Sequence, residues 1–235
     1  MKNDLLRPRL LAAAQRAAGE CAADIGCDHG RLCAWLLQQG RIRRAVGTDV
    51  SEASLAKAKA LRALCGLEEA WALRVGDGLS ALSPAEADTL FFCGMGGELI
   101  ARMLEAGDAT ARAARRIVMQ PMRGTAALRA YLYTHGYAIE EEQIVLDAGR
   151  YYQIIAAKSG VPRPLPPGFP TGHYTFGALL FTLRDPLLLP MLQAYRDGHA
   201  KRLEKARAKG QSPAPLCKIC EEMDTLIALA KEMQT

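Results

Sequence analysis

The loop ADIGCDHGRL at residues 23–32 holds the residues whose types point most directly to chemistry. It places two carboxylates, Asp24 and Asp28, in a glycine-containing turn of the kind that usually carries the phosphates of a nucleotide. Two carboxylates would repel a pyrophosphate, and a low local dielectric would increase that repulsion. The loop therefore favours a cationic ligand, although Asp28 has the simpler alternative role of capping a helix that starts near Arg31.

S-Adenosyl-L-methionine carries a sulfonium and an ammonium group and no phosphate, so it is the cofactor that this loop indicates. Asp49 ends the second apolar run, where a carboxylate commonly accepts both ribose hydroxyls. In VGDGL, Asp77 could accept from the exocyclic amine of adenine, and the flanking Gly76 and Gly78 would let the base approach. A strand-end cap for Asp49 and a simple turn around Asp77 remain the structural alternatives.

Two segments further along the chain have residues suited to a flat acceptor. FFCGMGGE has three glycines at the end of a strand-like run, which would leave backbone groups open to a base, but it lacks the polar-Pro-Pro-aromatic clamp of many base methyltransferases. In MQPM, Gln120 offers an amide donor and acceptor at the expected pocket rim, and Pro121 stiffens the turn.

These residues need a scaffold, and the chain predicts an α/β fold. Short apolar runs alternate with helical segments, which indicates βαβ units and a parallel sheet with helices on both faces. Two later strands flank the turn signal DAGR and predict a terminal antiparallel hairpin. The predicted strands are Cys21–Ile25, Arg44–Val50, Trp71–Val75, Asp88–Cys93, Arg116–Gln120, Tyr137–Leu146 and Tyr151–Lys158.

Composition changes twice along the chain and predicts three parts. Residues 1–158, including an N-terminal amphipathic helix, form the α/β domain; residues 159–172 are a Pro/Gly-rich linker; and residues 173–235 form a helical hairpin with two apolar stripes. Seven scattered cysteines suit a reducing cytoplasm, and we expect neither a signal peptide nor a membrane span. We also expect no metal, since Cys217 and Cys220 lie on an apolar stripe and the four histidines form no ligand cluster.

With these motifs in view, the chain resembles the bacterial tRNA (adenine-22-N1)-methyltransferase family. The likeness runs in order through ADIGCDHGRL, VGDGL, CGMGGELI, MQPM and LRAYLYTHGYAIEEEQIVLDAGRYYQIIAA. It implies a Rossmann-like class I methyltransferase domain with a mostly parallel seven-stranded sheet and a C-terminal helical hairpin, S-adenosyl-L-methionine as cofactor and tRNA as partner. The chain departs from the family pattern at Cys27, Gly30 and Met122, where relatives tend to have Ser, Ala and Asn.

The resemblance and the motifs together give a set of expected site residues. Asp28, His29 and Gln120 are expected to be catalytic. The expected cofactor contacts are Asp24, Gly26, Cys27, Asp49, Val50, Gly76, Asp77, Gly78 and Gly94. The expected substrate contacts are Arg9, Met95, Gly96, Lys201, Arg202 and Lys205.

The net charge of +5 permits a nucleic-acid partner without requiring one. Basic residues between Arg184 and Lys209 predict phosphate contacts, although a solvated helix face or self-association of the hairpin are alternatives; we favour a monomer. Two other functions stay open from the residues alone: a methyltransferase acting on another RNA base, a protein or a small molecule, and a non-catalytic RNA-binding protein that retains the cofactor pocket.

Overall fold

The computed structural model describes residues 6–165, 169–170 and 174–234, and the chain divides into two compact units. The first contains the described residues of Met1–Pro164 and Gly172–Phe176, and the second those of Leu165–Thr171 and Gly177–Thr235. The predicted linker at 159–172 falls partly outside the described residues. The division into 1–158, 159–172 and 173–235 therefore stays a prediction.

The first unit is built on one seven-stranded sheet in the order β3-β2-β1-β4-β5-β7-β6. Neighbouring strands are parallel except where β7 pairs antiparallel with β5 and with β6. The predicted α/β class with a terminal antiparallel hairpin is therefore confirmed. The strands are β1 Cys21–Ile25, β2 Arg44–Asp49, β3 Trp71–Val75, β4 Thr89–Cys93, β5 Arg116–Gln120, β6 Tyr137–Asp147 and β7 Arg150–Ser159.

Five of the predicted strand ends are wrong, each by one residue. Strand β2 ends at Asp49 and not at Val50, and β4 begins at Thr89 and not at Asp88. Strand β6 ends at Asp147 and not at Leu146, and β7 runs from Arg150 to Ser159 and not from Tyr151 to Lys158. Asp88, directly before β4, accepts hydrogen bonds with its carboxylate from the backbone N–H groups of Glu20 and Cys21, at 2.8 and 3.0 Å. Its side chain thus fixes the entry into β1.

Helices cover both faces of this sheet. The helix α3 shows why the local sequence specifies them, because Ser51 caps its first turn by accepting from Ser54 N at 3.2 Å and Gly66 ends it with φ +63°. The helices are α1 Pro8–Ala14, α2 Arg31–Gln38, α3 Glu52–Cys65, α4 Gly97–Ala106, α5 Asp108–Ala113 and α6 Thr125–Thr134, with a 3-10 turn at Gly78–Ala81.

One face of the sheet changes from apolar to polar along its strands. Phe91 pairs with Asp24 on one side and Val118 on the other, and two residues further Cys93 pairs with Gln120. Since alternate residues of a strand share a face, these side chains lie on the same side of the sheet. That side carries the main apolar core and, at its carboxyl edge, a row of polar groups.

A buried ionic network lies in the part of the sheet formed by the hairpin. Arg129 Nε donates to Glu142 Oε1 at 2.8 Å, and the guanidinium also donates to the Gln153 amide oxygen. Arg129 Nη1 donates to the carbonyl oxygens of Tyr174 and Thr175, both at 3.0 Å. The network holds the returning segment 174–176 within the first unit.

The second unit is helical, with α7 Ala178–Thr182, α8 Leu188–Ala208 and α9 Ala214–Gln234. Helices α8 and α9 pack on each other, and Leu192, Met223 and Ala230 are among their buried side chains. Arg196 on α8 is ion-paired with Asp224 on α9 at 3.0 Å. The predicted helical hairpin is confirmed. Over the described ranges, no helix is both long enough and apolar enough to cross a membrane.

Candidate active site

The loop after β1 is held in shape by its own backbone. Gly26 N and Cys27 N both donate to the carbonyl oxygen of Thr48, at 2.8 and 2.9 Å, and Gly30 N donates to Cys27 O at 2.7 Å. Gly26 and Gly30 have φ of +71° and +68°, a region in which glycine is unstrained. The loop is therefore organised without any ligand contact.

Asp49 connects this loop to the end of β2. Its Oδ2 accepts from Asp28 N at 3.1 Å, and its Oδ1 accepts from Ser51 N at 2.9 Å. Gly76 N donates to the carbonyl oxygen of Asp49 at 3.1 Å, which brings the loop after β3 to the same place. Each carboxylate oxygen retains a free lone pair for a ligand hydroxyl. Asp49 thus has a backbone-positioning role in addition to the predicted ribose contact.

Asp24 is the buried acid of the site. It is 5% exposed, and its carboxylate has no hydrogen-bond or ion-pair partner among the described residues. Desolvation and the nearby charge of Asp49 raise the pKa of Asp24 to about 7. A carboxylate in this state would be stabilised by a cation arriving beside it, which is the property expected of the predicted cofactor loop.

Asp28 differs from Asp24 because its side chain is 60% exposed and its backbone has φ +45°. The carboxylate lies 3.6 Å from His29 Nε2 and 3.9 Å from Lys57 Nζ. Helix α2 does begin at Arg31, but its N-cap is Gly30 and it receives no side-chain cap. The capping alternative for Asp28 is therefore wrong, and its carboxylate is available to a ligand.

Cys27 is buried beneath the loop. Burial raises the pKa of its thiol well above the usual range, and the charge of Asp24 adds to the effect. The thiol is therefore neutral near pH 7, and the backbone N–H of Cys27 is already bonded to Thr48. Cys27 is thus suited to packing and not to nucleophilic chemistry.

A cavity of about 440 Å³ opens beside this loop. The predicted residues that line it are Arg9, Asp24, Gly26, Cys27, Asp28, His29, Gly94 and Met95. Met95 extends over the loop, since a Cβ atom placed on Gly26 would lie 3.0 Å from the Met95 methyl carbon. The fold therefore brings together the first and fourth strand ends as the sequence predicted.

Five further residues line the same cavity and were not predicted as site residues: Arg7, Leu10, Arg31, Leu32 and Cys93. Arg31 and Leu32 directly follow the DHG motif, so their position in the sequence was a usable signal. Arg9 is fixed by Asp147 at 3.1 Å and lies over the Tyr152 ring at 5.1 Å. The cavity wall thus carries arginines beside two carboxylates.

Several predicted residues do not line this cavity. Asp77 and Gly78 line a different cavity of about 420 Å³, together with Arg102 and Met103 of α4. Val50 is 66% exposed. Gln120 is fully buried and pairs with Cys93, which lines the cavity, so its place near the pocket rim stays a prediction.

The remaining predicted substrate contacts lie at the start of α4 and on α8. Gly96 is the N-cap of α4 and pairs with Arg123 in an isolated bridge. Lys201, Arg202 and Lys205 lie exposed on α8, and none forms an ion pair within the described ranges. Among the described side chains, no group of three or more His, Cys, Asp or Glu residues could hold a metal ion.

Residues 6–155 match the family described as a methyltransferase domain, which is more than half of the chain. The chain belongs to this methyltransferase family. A curated relative, the tRNA (adenine(22)-N(1))-methyltransferase of Bacillus subtilis (strain 168), is 32% identical over 142 residues. That alignment covers 60% of this chain and 60% of the relative, so the match spans less than two thirds of that protein's length.

Solved structures with the same methyltransferase fold extend over almost the whole chain. The crystal structure of the B. subtilis m1A22 tRNA methyltransferase TrmK superposes with a TM-score of 0.81 at 26% identity, covering 97% of this chain and 98% of TrmK. A putative tRNA (m1A22) methyltransferase of Streptococcus pneumoniae, in complex with S-adenosyl-L-methionine, has a TM-score of 0.81 at 26% identity, covering 93% and 98%. Both units of this methyltransferase therefore have counterparts in these structures.

Proposed function

We propose that this protein is an S-adenosyl-L-methionine-dependent methyltransferase that methylates N1 of adenine 22 in tRNA. The observation that carries the proposal is Asp24, a buried carboxylate without a cationic partner among the described residues, in the loop where a methyltransferase holds its cofactor. The named activity of the B. subtilis relative supports the choice of acceptor.

The chain's residues fit the proposed cofactor. When bound, it supplies a methyl group made electrophilic by the sulfonium. Asp24 would offset the positive charge, Asp49 would accept from the ribose, and the open backbone at Gly94 would let the ligand approach. The contact of Gly26, which lies under the methyl carbon of Met95, stays a prediction. The roles of Val50, Gly76, Asp77, Gly78 and Cys27 as cofactor contacts stay predictions.

The proposed reaction needs positioning more than activation. N1 of adenine has an in-plane lone pair, which attacks the methyl carbon while the carbon–sulfur bond breaks, and the ring becomes cationic. The base must be unpaired or flipped to present this edge. Its alignment with the methyl group lowers the barrier, and Asp28, exposed beside the cavity, would stabilise the charge that develops on the ring.

The partner tRNA would also need contacts to its phosphates. Arg9 at the cavity, and Lys201, Arg202 and Lys205 on α8, are the candidates, because the three α8 side chains are exposed and form no ion pair within the part of the chain that is described. We further propose that the protein works as a monomer in the cytoplasm, where its tRNA substrate is found.

The test is a methyl-transfer assay with labelled S-adenosyl-L-methionine and unmodified tRNA carrying A22, beside the same tRNA with G22. Transfer to the A22 tRNA alone, recovered as 1-methyladenosine, is the expected result. Cofactor binding without transfer to either tRNA would refute the acceptor and leave a methyltransferase of another substrate. Absence of cofactor binding would instead favour a non-catalytic RNA-binding protein.

A further inference from the structure

Gln120 is a buried amide whose hydrogen bonds are only half made. It ends β5, is 0% exposed, and its Nε2 donates to Pro121 O at 3.2 Å and approaches Met122 Sδ at 3.7 Å. Its Oε1 has no hydrogen-bond partner within the described part of the chain. A buried acceptor left without a donor is costly, so such a group calls for a functional explanation.

The orientation of this amide is fixed by its neighbours. Exchanging the nitrogen and oxygen of Gln120 would place Oε1 against the carbonyl oxygen of Pro121, which also only accepts. The free position is therefore an acceptor, and a ligand that meets it must donate.

Gln120 is joined directly to the wall of the cavity beside the β1 loop. Cys93, which lines that cavity, pairs with Gln120 in the sheet. Gly94 N donates to Gln120 O at 3.0 Å, and Met122 N donates to Met95 O at 2.7 Å. Two backbone hydrogen bonds thus hold the cavity segment Cys93–Met95 against Gln120 and Met122.

Met122 Sδ lies 3.7 Å from the Gln120 nitrogen Nε2, and Met122 itself is 42% exposed. A thioether side chain is unbranched and changes rotamer readily, and the proposal requires that Met122 turn aside so that a planar base reaches the buried oxygen. Met95, at the opposite end of the same backbone hydrogen bond, offers a second apolar surface for the face of the base.

The geometry points to Gln120 Oε1 as the group that accepts a hydrogen bond from the 6-amino group of the target purine, an inference that rests on the proposed function. A 6-oxo purine would bring an acceptor against this oxygen, and its N1 is protonated and has no lone pair to attack. Gln120 thereby selects adenine over guanine, which leaves Asp28 to stabilise the charge that develops on the ring.

The test compares tRNA carrying adenine at position 22 with the same tRNA carrying unsubstituted purine, which keeps N1 and lacks the amine. The ratio of kcat/KM for the two substrates is measured in the wild type and in Gln120→Met, so that the difference in intrinsic N1 reactivity cancels. We expect the preference for adenine to fall roughly 10- to 100-fold in the variant, as for the loss of one buried hydrogen bond.

The matched control is Met119→Leu, a buried neighbour on β5 whose side chain faces the other side of the sheet. It should keep the wild-type ratio, and both variants should keep the wild-type cofactor affinity. An unchanged ratio in folded Gln120→Met overturns the inference. If that variant does not fold, equal kcat/KM of the wild type on the adenine and purine tRNAs overturns it. Failure of the wild type to methylate the A22 tRNA refutes the proposed function instead.

Discussion

Two regions of the first unit each bury a carboxylate, and they treat it in opposite ways. Glu142 lies 2.7 Å from the guanidinium of Arg129, and both side chains are at most 2% exposed. Asp24 is similarly enclosed but meets no cation among the described residues, and its pKa is raised to about 7. The carboxylate of Glu142 has its counter-charge within the fold. The carboxylate of Asp24 has no counter-charge among the described residues, and a cationic ligand would supply one. The contrast separates a structural charge from a functional one.

The largest expected effect is on stability, from Glu142→Gln. The change leaves Arg129 buried without its counter-charge, so we expect a loss of about 3–5 kcal/mol in the free energy of unfolding. Denaturant titration measures it. Glu86→Gln removes a more exposed ion pair with Arg74 and should cost about 1 kcal/mol or less. Equal losses in the two variants would contradict the structural role of the buried pair.

The next effect is on turnover, from Asp28→Asn. Asparagine tolerates the left-handed backbone of position 28 and keeps the side-chain shape, so the change removes the charge and replaces one acceptor oxygen with an NH2 donor. We expect kcat to fall roughly 100- to 1000-fold, as for other groups that stabilise developing charge, with little change in cofactor affinity. Single-turnover kinetics and calorimetry measure the two quantities. An equal loss in both would make Asp28 a cofactor ligand.

Asp24→Asn should weaken cofactor binding by roughly 10- to 100-fold, the range for hydrogen bonds to charged groups. It should not lower stability at pH 7, because the variant removes a desolvated carboxylate that has no cation beside it in the described structure. Calorimetry with S-adenosyl-L-methionine and thermal unfolding check the two statements, with the exposed Glu68→Gln as control. If Asp24→Asn lost as much stability as Glu142→Gln, the carboxylate of Asp24 would also be structural, and the distinction between the two would be wrong.

The pH dependence of Asp24 gives a further, smaller effect. Its folded-state pKa of about 7 lies above the value of about 3.9 expected in the unfolded chain. Between about pH 4 and 7, Asp24 is therefore protonated in the folded state and ionised in the unfolded chain. The contribution of Asp24 to the free energy of unfolding declines as the pH rises through this range. Cofactor affinity should rise over the upper part of that range, by at most about tenfold per pH unit. Asp24→Asn should flatten both profiles.

The smallest effect is expected on the exposed charges of α8, which are neither buried nor paired within the described ranges. Lys201→Gln with Lys205→Gln should weaken tRNA binding and lower the slope of log affinity against log salt by about 1 for each phosphate that the variant no longer neutralises. Lys231→Gln on α9 is the matched control. An unchanged slope would mean that this face of α8 is only solvated.

The sequence predicted the scaffold well because its signals are local. Buried apolar runs marked each strand, and Ser51 and Gly66 marked the ends of α3, so the sheet followed from chain order. The cavity beside the β1 loop was also within reach, since the carboxyl ends of parallel strands share one edge. Asp24 and Asp28 could be placed there from the motif alone.

What the sequence did not reveal depends on the approach of residues that are distant along the chain. Nothing near Arg129 shows that it meets both Glu142 and the carbonyl of Thr175. The second cavity that Asp77 and Gly78 line with Arg102 and Met103 depends on how α4 packs near the 3-10 turn. The half-satisfied amide of Gln120 depends on the positions of Pro121 and Met122 in three dimensions.

The left-handed backbone of Asp28 constrains which sequences this family of loops can explore. For most side chains such a φ costs about 1–2 kcal/mol, whereas glycine, asparagine and aspartate adopt it readily. The backbone conformation alone therefore limits the residue types that position 28 accepts without loss of stability, whatever the catalytic role of the side chain. An aspartate that recurs at this position among related sequences would therefore reflect backbone geometry as well as catalysis. Because asparagine fits the same backbone, a preference for aspartate over asparagine would be the evidence that the negative charge is needed.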